Sequence, residues 1–324
     1  MCTSIFMGGE NSFFGRNMDL YFKVGGNVVI TPRNYPFRFR AAGEMKEHFA
    51  IIGMSMIKDG YPLYFEAVNE RGVCIAGLDF PRNAYYSGEF STSKNNISPF
   101  EFIPWVLGQC ATLDEARNLI NHTHITAIPF SQELPLSPLH WHIADKNSSI
   151  VFEVTKKGAN VFDNPTGIMT NNPTFDFHMQ NLSHYLNLFP ENSKNCFSRA
   201  GIEPFSFGMG ATGLPGDFSS TSRFVKASYL LKNSSRGDIT HNSVSQFFHI
   251  LSSVAMVRGS VVTENGAFDT TAYSCCIDMN RVIYYYTTYE NNRITAVSLL
   301  GADVDGSALI EFKTRDGQDI LYEN

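Results

Sequence analysis

Short runs of β-branched and aromatic residues, bounded by turn-forming residues, recur along the chain and predict β-strands. The clearest runs are NVVIT (27–31), FAIIGM (49–54), HWHIA (140–144), SIVFEV (149–154), RVIYYYTTY (281–289) and RITAVSL (293–299). The last two runs predict an antiparallel hairpin with residues 290–292 in its loop. A second hairpin is expected near the N-terminus, between residues 3–7 and a segment that begins at Arg16 after a turn at Gly15. These patterns favour antiparallel sheets.

Helical periodicity appears in three places. Thr112 and Glu115 have the spacing of a capping box at the start of a helix through ARNLINH (116–122), and residues 222–232 form a second helical pattern. In residues 243–256 the apolar positions form one helical stripe: Val244, Phe247, Phe248, Leu251, Val254 and Ala255. Hairpins with segregated helices predict an α+β fold of layered antiparallel sheets. Since no repeat or linker divides the chain, a single domain is expected.

The composition excludes several classes of function. With 43% hydrophobic and 17% charged residues, the 324-residue chain can bury a sizeable core. Its 25 basic and 31 acidic residues give a net charge of −6 without long charged blocks, so nucleic acid is not an expected partner. No stretch approaches the roughly 18 apolar residues of a membrane span, and the N-terminus lacks the features of a secretory signal. We therefore expect a cytoplasmic protein that does not enter a membrane.

Two patterns resemble binding motifs but lack the required context. GMGATG (208–213) has the spacing of a dinucleotide fingerprint, yet Leu214 and Pro215 cannot carry forward the helix that such a site needs. A loop that lets backbone or substrate approach closely is the favoured interpretation. The closest histidine pairs are His122 with His124 and His140 with His142, and neither has a third metal ligand nearby. We therefore expect no metal and no cofactor.

The second residue of the chain is a cysteine, and removal of Met1 is expected because the residue after it is small. Removal leaves a free α-amine on the residue that carries the thiol. An α-amine titrates near pH 7.7–8.0 and a thiol near 8.5, so this amine can accept the thiol proton close to neutral pH. Cys2 would then supply both nucleophile and base, although a cysteine here can also be a merely tolerated small residue.

The predicted N-terminal hairpin returns Arg16 and Asp19 towards Cys2. A guanidinium beside the sulfur favours the thiolate, and a carboxylate that accepts from the α-amine orients that base. The alternative interpretation is an ion pair on the protein surface, which contributes little to stability.

Ten segments together resemble one enzyme family. They are MCTSIFM, FGRNMDL, ITPRNYPF, NERGVCIAGLDF, SPFEFIPWVLGQC, LPLSPLHW, MTNNPTFD, GLPGDFSSTSRF, SQFFHILSSVAMVRGS and YYYTTYENNRITAV. In this order, from residue 2 to about residue 300, they resemble the choloylglycine hydrolase family, which includes conjugated bile salt hydrolases and penicillin V acylases.

The resemblance implies an N-terminal nucleophile hydrolase fold, an αββα sandwich of two stacked antiparallel sheets in a single domain spanning residues 2–324. It implies that Cys2 is the nucleophile with its freed amine as base, and that Arg16 and Asp19 support it. Asn171 in MTNNP matches the oxyanion-hole asparagine, and Arg223 in STSRF matches a second active-site arginine. A homotetramer is also implied.

Asp79 departs from the family pattern. The GLDF segment has aspartate where bile salt hydrolases usually have asparagine and where penicillin acylases can have tyrosine. An ionised carboxylate has no N–H for a developing oxyanion and would repel it. A protonated Asp79, or Asn171 with a backbone N–H, would restore that stabilisation.

The resulting hypothesis is hydrolysis of an amide with an apolar acyl group in two steps, through a thioester on Cys2. The residues expected to line the acyl pocket are Met18, Tyr21, Phe22, Ile128 and Phe130. The first candidate is a bile salt hydrolase that releases glycine or taurine, and the second is a penicillin V acylase. A third is a binding protein that kept the fold while Asp79 disabled catalysis.

Overall fold

The computed structural model describes residues 1–22, 25–197, 200–235, 240–315 and 317–324. The first strands in chain order are β1 (Cys2–Met7), β2 (Phe13–Leu20), β3 (Asn27–Thr31), β4 (Phe37–Phe39), β5 (Gly43–Met45), β6 (Ile51–Lys58), β7 (Tyr61–Asn69), β8 (Cys74–Asp79) and β9 (Asn95–Ile97). The later strands are β10 (Thr123–Ile125), β11 (Leu139–Ala144), β12 (Ser149–Thr155), β13 (Gly158–Asp163), β14 (Ile168–Met169), β15 (Thr270–Asp278), β16 (Ile283–Thr288), β17 (Asn291–Ser298) and β18 (Ile310–Phe312). The helices are α1 (Phe102–Leu107), α2 (Leu113–Asn121), α3 (Phe175–Asn181), α4 (Ser220–Asn233) and α5 (Thr240–Ser252).

Two large sheets carry most of the strands. The six-stranded sheet has the order β14-β1-β2-β15-β16-β17, and the eight-stranded sheet has the order β13-β12-β11-β8-β7-β6-β3-β18. Neighbouring strands in both sheets are antiparallel. The six runs that predict strands correspond to β3, β6, β11, β12, β16 and β17, with ends displaced by a few residues.

The sheets stack face to face between two layers of helices. Strands β1 and β2 contact β8 of the other sheet, while α4 packs on β1 and α5 packs on β15. Helix α1 covers the opposite face of the eight-stranded sheet at β7 and β8. One apolar core joins the two sheets with α4 and α5, and a second core lies under α1 and α2. The predicted α+β sandwich with an αββα layer order is confirmed.

Gly15 lies within β2, where it pairs with Ile5, so the predicted turn at this position is wrong. The chain reverses at residues 8–12 instead. A Cβ on Gly15 would lie 2.0 Å from the Cys275 carbonyl oxygen of the neighbouring strand β15. The glycine therefore permits close backbone approach within a sheet. The predicted pairing of β1 with the segment containing Arg16 is confirmed.

The β16–β17 hairpin forms as predicted, but its loop is shorter. Thr288 pairs with Asn291, so Tyr289 and Glu290 alone connect the strands, and Asn291 and Asn292 belong to β17. A two-residue connection matches the twist of paired antiparallel strands, which explains the correction.

Helix α2 begins with half of the predicted capping box. Thr112 Oγ1 accepts a hydrogen bond from the Glu115 backbone N–H at 3.2 Å. The Glu115 carboxylate accepts from the Ala111 backbone N–H at 2.7 Å. The Glu115 side chain thus accepts from Ala111, the residue before the N-cap Thr112, instead of from the backbone N–H of Thr112 itself.

The other two predicted helices are α4 and α5. Helix α4 spans Ser220–Asn233, two residues longer at its start than the predicted segment. Helix α5 ends at Ser252, so Val254 and Ala255 lie beyond it. Val254 is buried but Ala255 is only partly buried, which shortens the predicted apolar stripe.

The glycine-rich segment 208–213 is a loop, as favoured from the sequence. Gly208 has a φ of +82° and precedes a short 3₁₀ turn, Met209–Ala211. A Cβ on Gly210 would lie 1.9 Å from the Glu191 carbonyl oxygen. Close backbone approach, rather than dinucleotide binding, explains this glycine.

Candidate active site

The β1–β2 hairpin brings Cys2 next to a group of buried polar residues. Cys2 pairs with Met18, and Ser4 pairs with Arg16, so their side chains lie on the face that meets the eight-stranded sheet. Cys2 is 2% exposed, and its Sγ lies 4.0 Å from Met18 Sδ. The hairpin therefore fixes the thiol on a rigid strand beside the guanidinium of Arg16.

Asn171 and Arg223 hold the backbone of Cys2. The Cys2 N–H donates to Asn171 Oδ1 at 2.7 Å, and the Cys2 carbonyl accepts from Arg223 Nη1. Arg223 also donates to Thr3 Oγ1 at 2.6 Å and to Asn171 Oδ1 at 2.9 Å. Helix α4 thus ties the loop after β14 to the start of β1, which positions the nitrogen of Cys2.

The Asn171 amide nitrogen has capacity for one further acceptor. Its Nδ2 donates to the Asp79 carbonyl oxygen at 2.7 Å, and an amide nitrogen carries two hydrogens. The Asn171 backbone is fixed on both sides, because its N–H donates to Ser220 Oγ at 2.9 Å and its carbonyl accepts from His178 Nε2 at 2.9 Å. A rigid amide with a spare N–H beside the nucleophile suits stabilisation of an oxyanion.

Asp79 ends β8 next to this amide. Asp79 as a whole residue is exposed to solvent. Its carboxyl group is nevertheless partly buried, which raises its pKa, and the charge of Asp269 raises the pKa further. The terminal amine, His140 and Arg16 act in the opposite direction. A raised pKa extends the pH range over which the carboxyl keeps a proton that it can donate.

Arg16 is completely buried and forms an ion pair with the buried Glu66 of strand β7. Arg16 Nη1 donates to the Gly77 carbonyl at 2.6 Å and lies 3.7 Å from Glu66 Oε2. Glu66 accepts from the hydroxyls of Tyr273 at 2.7 Å and Tyr284 at 2.5 Å. Arg16 Nη2 has no hydrogen-bond partner among the described residues. Burial raises the pKa of Glu66, and the charge of Arg16 opposes this rise.

Asp19 lies on β2 one residue beyond Met18, and its side chain is also buried. Its Oδ1 accepts from Thr271 Oγ1 at 2.6 Å, while Oδ2 lacks a partner in the described part of the chain. Burial raises the pKa of Asp19, against the lowering effects of Arg223 and the terminal amine. The hairpin brings Asp19 close enough for the charge of the terminal amine to act on its carboxyl, but its carboxylate accepts from Thr271, and its predicted role in orienting the Cys2 amine stays a prediction.

The terminal amine in the structure is that of Met1. It donates to the Asp19 carbonyl at 2.9 Å and to Asp269 Oδ2 at 3.0 Å. Burial by itself would lower the pKa of this amine, but the charges of Cys2, Asp19 and Asp269 outweigh it and raise the pKa. The Met1 amine is thus stabilised in its protonated form by the Asp19 carbonyl and the Asp269 carboxylate.

Glu66 and Asp269 are not among the residues singled out from the sequence. Glu66 carries a weak signal, because it is the one charged residue of strand β7 and lies between Phe65 and Ala67. Asp269 has no comparable signal, since it precedes β15 in a loop where aspartate is ordinary. Its position depends on sheet topology, which brings β15 next to β2.

The structure divides the predicted acyl-pocket residues. Met18 touches the thiol, and Tyr21 and Phe22 form an exposed edge-to-face pair, 5.0 Å between ring centroids, directly after β2. Phe130 packs against Phe100, with centroids 5.2 Å apart, and Ile128 is partly buried in the same loop. Their roles in binding substrate stay predictions.

The buried histidines have structural partners. His142 Nε2 accepts from Asn164 Nδ2 at 3.1 Å, so its protonated Nδ1 donates to Ser4 Oγ at 2.9 Å. His140 lies between Glu153 at 3.2 Å and the Thr170 carbonyl at 2.9 Å. No group of three or more potential metal ligands occurs within the described ranges.

Comparison with known proteins identifies the class of this fold and site. Residues 2–312 match the family model of linear amide C–N hydrolases, choloylglycine hydrolase family. The fold, with its N-terminal strand carrying Cys2, is that of an N-terminal nucleophile hydrolase, and the protein is a linear amide C–N hydrolase. The chain belongs to the choloylglycine hydrolase family.

Similar proteins cover the chain from end to end. It is 45% identical to the bile salt hydrolase/transferase of Lactiplantibacillus plantarum over 316 residues, 97% of each chain. It is 36% identical to the bile salt hydrolase/transferase of Clostridium perfringens over 329 residues, 100% of each chain.

Two solved structures share the fold. A variant of the conjugated bile acid hydrolase from Clostridium perfringens is 36% identical, with a TM-score of 0.90 and complete coverage of both chains. Penicillin V acylase from Agrobacterium tumefaciens is 17% identical, with a TM-score of 0.78 over 99% of this chain and 94% of that one. At this identity the second likeness concerns the fold alone.

Proposed function

We propose that this enzyme hydrolyses the amide bond of glycine- and taurine-conjugated bile salts through an acyl thioester on Cys2. The full-length relatives named as bile salt hydrolases support the substrate class. The observation that carries the mechanism is the buried thiol of Cys2 beside Arg16, with its nitrogen held by Asn171 at 2.7 Å.

Acylation begins once Met1 has been removed and the α-amine of Cys2 is free. This amine takes the thiol proton, and the positive charge of Arg16 stabilises the thiolate that results. Asn171 Oδ1, which accepts from the same nitrogen, keeps the amine oriented towards the sulfur. Attack on the substrate carbonyl then places negative charge on its oxygen.

Hydrogen-bond donors must already be in place to stabilise the negative charge that develops on this oxygen. The spare N–H of Asn171 Nδ2 is one donor. Burial raises the pKa of Asp79, and its carboxyl supplies a second donor only while it carries a proton. Because Arg223 and Ser220 fix Asn171, this donor does not reorganise during the reaction. The α-ammonium then protonates the departing nitrogen, and water hydrolyses the thioester with the α-amine as base.

The test is turnover of taurocholate, glycocholate and penicillin V by the purified protein. We expect release of taurine and glycine, and no release in Cys2→Ala. Cleavage of penicillin V with both bile salts intact would reject the proposed substrate and favour the acylase. No turnover of any of the three would favour the binding-protein hypothesis.

Assembly and location stay predictions. Several large apolar side chains of the segment after α3 are strongly exposed: Leu186 at 84%, Phe197 at 93%, Phe205 at 90% and Phe207 at 98%. Large apolar side chains that are this exposed support an interface with other copies and hence the predicted homotetramer. Light scattering coupled to size-exclusion chromatography distinguishes a tetramer from smaller forms.

None of the described helices has the length and apolar character to cross a membrane. Cell fractionation tests the predicted cytoplasmic location.

A further inference from the structure

We propose that Asp269 binds the nitrogen of the departing amine, and that its carboxylate and the Asp19 carbonyl form a built ammonium site beside the Cys2 nitrogen. The inference rests on the amide hydrolysis proposed above and adds the residue that receives the leaving group. Asp269 immediately precedes β15, and its side chain is 5% exposed.

The structure already contains an ammonium at this place. The Met1 amine donates to Asp269 Oδ2 at 3.0 Å and to the Asp19 carbonyl at 2.9 Å. The second carboxylate oxygen of Asp269 has no hydrogen-bond partner within the described ranges. A buried carboxylate with an unused oxygen is costly unless a cation or further donors reach it. The site therefore has the chemistry to bind a protonated amine.

Asp269 belongs to the same charged group as the nucleophile. Its charge raises the pKa values of Asp19 and Asp79 and opposes the lowering of the Arg223 pKa caused by burial. These interactions reach three separate elements, β2, β8 and α4. Asp269 is thus a member of the cleft rather than of a remote surface ion pair.

Distance connects the ammonium position to the chemical step. Standard bond lengths and angles keep successive backbone nitrogens within about 3.7 Å of each other, so the Met1 nitrogen lies no farther than that from the Cys2 nitrogen. A leaving nitrogen must approach within about 3 Å of the group that protonates it. Once Met1 has been removed, a substrate nitrogen at this place can take the proton from Cys2 on its lone pair while it donates its own N–H to the Asp269 carboxylate.

The step balances as follows for an amide substrate. The Cys2 sulfur forms a bond to the carbonyl carbon, and the α-ammonium transfers one proton to the amide nitrogen. The nitrogen of the tetrahedral intermediate is then positively charged, and the C–N bond breaks with its electron pair on nitrogen. The products are the thioester, a neutral amine and the neutral α-amine of Cys2. Asp269 stabilises the charged nitrogen by a charge-assisted hydrogen bond.

The rival role for Asp269 is support of the Cys2 α-amine as base. The two roles predict different responses to the leaving atom, because an oxygen leaving group has no N–H to donate. Glycocholate and its oxygen analogue, the cholic acid ester of glycolic acid, differ in that single position. Both substrates form the same acyl-enzyme, so their kcat/KM values compare acylation alone.

The experiment measures kcat/KM of both substrates for wild type, Asp269→Asn, Asp269→Glu and the surface control Asp163→Asn. We expect Asp269→Asn to lower kcat/KM for the amide about ten- to hundredfold, as for loss of a hydrogen bond to a charged group, and to change the ester by less than about threefold. Asp269→Glu should restore part of the amide activity, and Asp163→Asn should match wild type. Intact mass must show the same removal of Met1 in every protein.

Equal losses on amide and ester would overturn the inference and assign Asp269 to the base. Unchanged amide turnover in Asp269→Asn would also overturn it, as would retention of Met1 in that variant alone. Failure of the proposed function appears differently, because wild type itself would then leave glycocholate intact.

Discussion

Strand β1 contributes to two buried polar clusters that lie two residues apart, and they differ in how fully their atoms are paired. At Ser4, the hydroxyl donates to the Gly15 carbonyl and accepts from His142, which in turn accepts from Asn164. Each polar atom of this cluster has a partner. At Cys2, the cluster is charged, and Arg16 Nη2, Asp19 Oδ2 and Asp269 Oδ1 lack partners among the described residues.

The comparison separates a structural network from a reactive one. Serine, histidine and asparagine in the first cluster resemble a hydrolytic triad, but the serine proton points to a carbonyl and the histidine is fully buried. Burial lowers the pKa of His142 to about 3, so it remains neutral. Around Cys2, by contrast, buried charged atoms lack hydrogen-bond partners among the described residues, which is typical of a functional site rather than of a structural network.

Replacement of the two candidate nucleophiles gives the largest expected effect. Cys2→Ala should lower kcat for glycocholate by roughly 10⁴-fold or more, because the covalent route is lost. Ser4→Ala should retain activity within about fivefold, since its hydroxyl only pairs with neighbours. Steady-state kinetics of both variants test the comparison. Comparable losses in the two would contradict the division between a reactive and a structural cluster.

Glu66→Gln should reduce stability by about 3 kcal/mol, because it leaves the buried charge of Arg16 without its counter-charge. Tyr284→Phe is the matched control, since it removes one hydrogen bond to Glu66 and should cost about 1.5 kcal/mol. Urea denaturation of each variant measures the difference. Equal destabilisation would show that the ion pair with Arg16 contributes no more than the hydroxyl.

The neutral cluster should also make the protein sensitive to acid. The pKa of His142 is about 3 in the folded protein and about 6.5 in the unfolded chain. Below pH 6.5 the unfolded chain therefore binds a proton that the folded protein does not, and the free energy of unfolding falls as the pH decreases. Between pH 7 and pH 5 the loss should be about 2 kcal/mol. Urea denaturation of wild type and His142→Gln at both pH values isolates the share of this stability loss that is due to His142. The same pH dependence in both proteins would refute it.

Asp79 offers the smallest and most specific test. Because burial raises its pKa, the protonated carboxyl persists to higher pH than in a free aspartate, and activity should fall as pH rises through that pKa. Asp79→Asn supplies a permanent donor and should increase kcat/KM at pH 7 by about tenfold, with the alkaline loss removed. A pH–rate profile that is identical in the variant would exclude Asp79 from the oxyanion site.

The sequence predicts the framework of this molecule well. Runs of β-branched and aromatic residues between turn-forming residues specify strands β3, β11 and β12, which are buried along most of their length. The return of Arg16 and Asp19 towards Cys2 follows from a hairpin, which is local in sequence. The predicted turn at Gly15 is wrong because the constraint on this glycine comes from Cys275, on a strand about 260 residues away in sequence.

The site is less predictable where it depends on long-range packing. Asp269 reaches the terminal amine only because β15 inserts beside β2, a pairing that no local pattern specifies. Glu66 similarly gains its role from stacking of the two sheets. Residues recognised by family resemblance, such as Asn171 and Arg223, lie against Cys2 in the structure, whereas Phe130 packs within a different aromatic group.

The central claim is that one residue, Cys2, provides both the attacking sulfur and the proton-accepting amine. Intact-mass spectrometry of the active protein, before and after rapid acid quench with glycocholate, tests it most directly. We expect a chain that lacks Met1 and gains the mass of one cholyl group, located on Cys2 by peptide mapping. A fully active chain that retains Met1, or an acyl group located on another residue, would contradict the account.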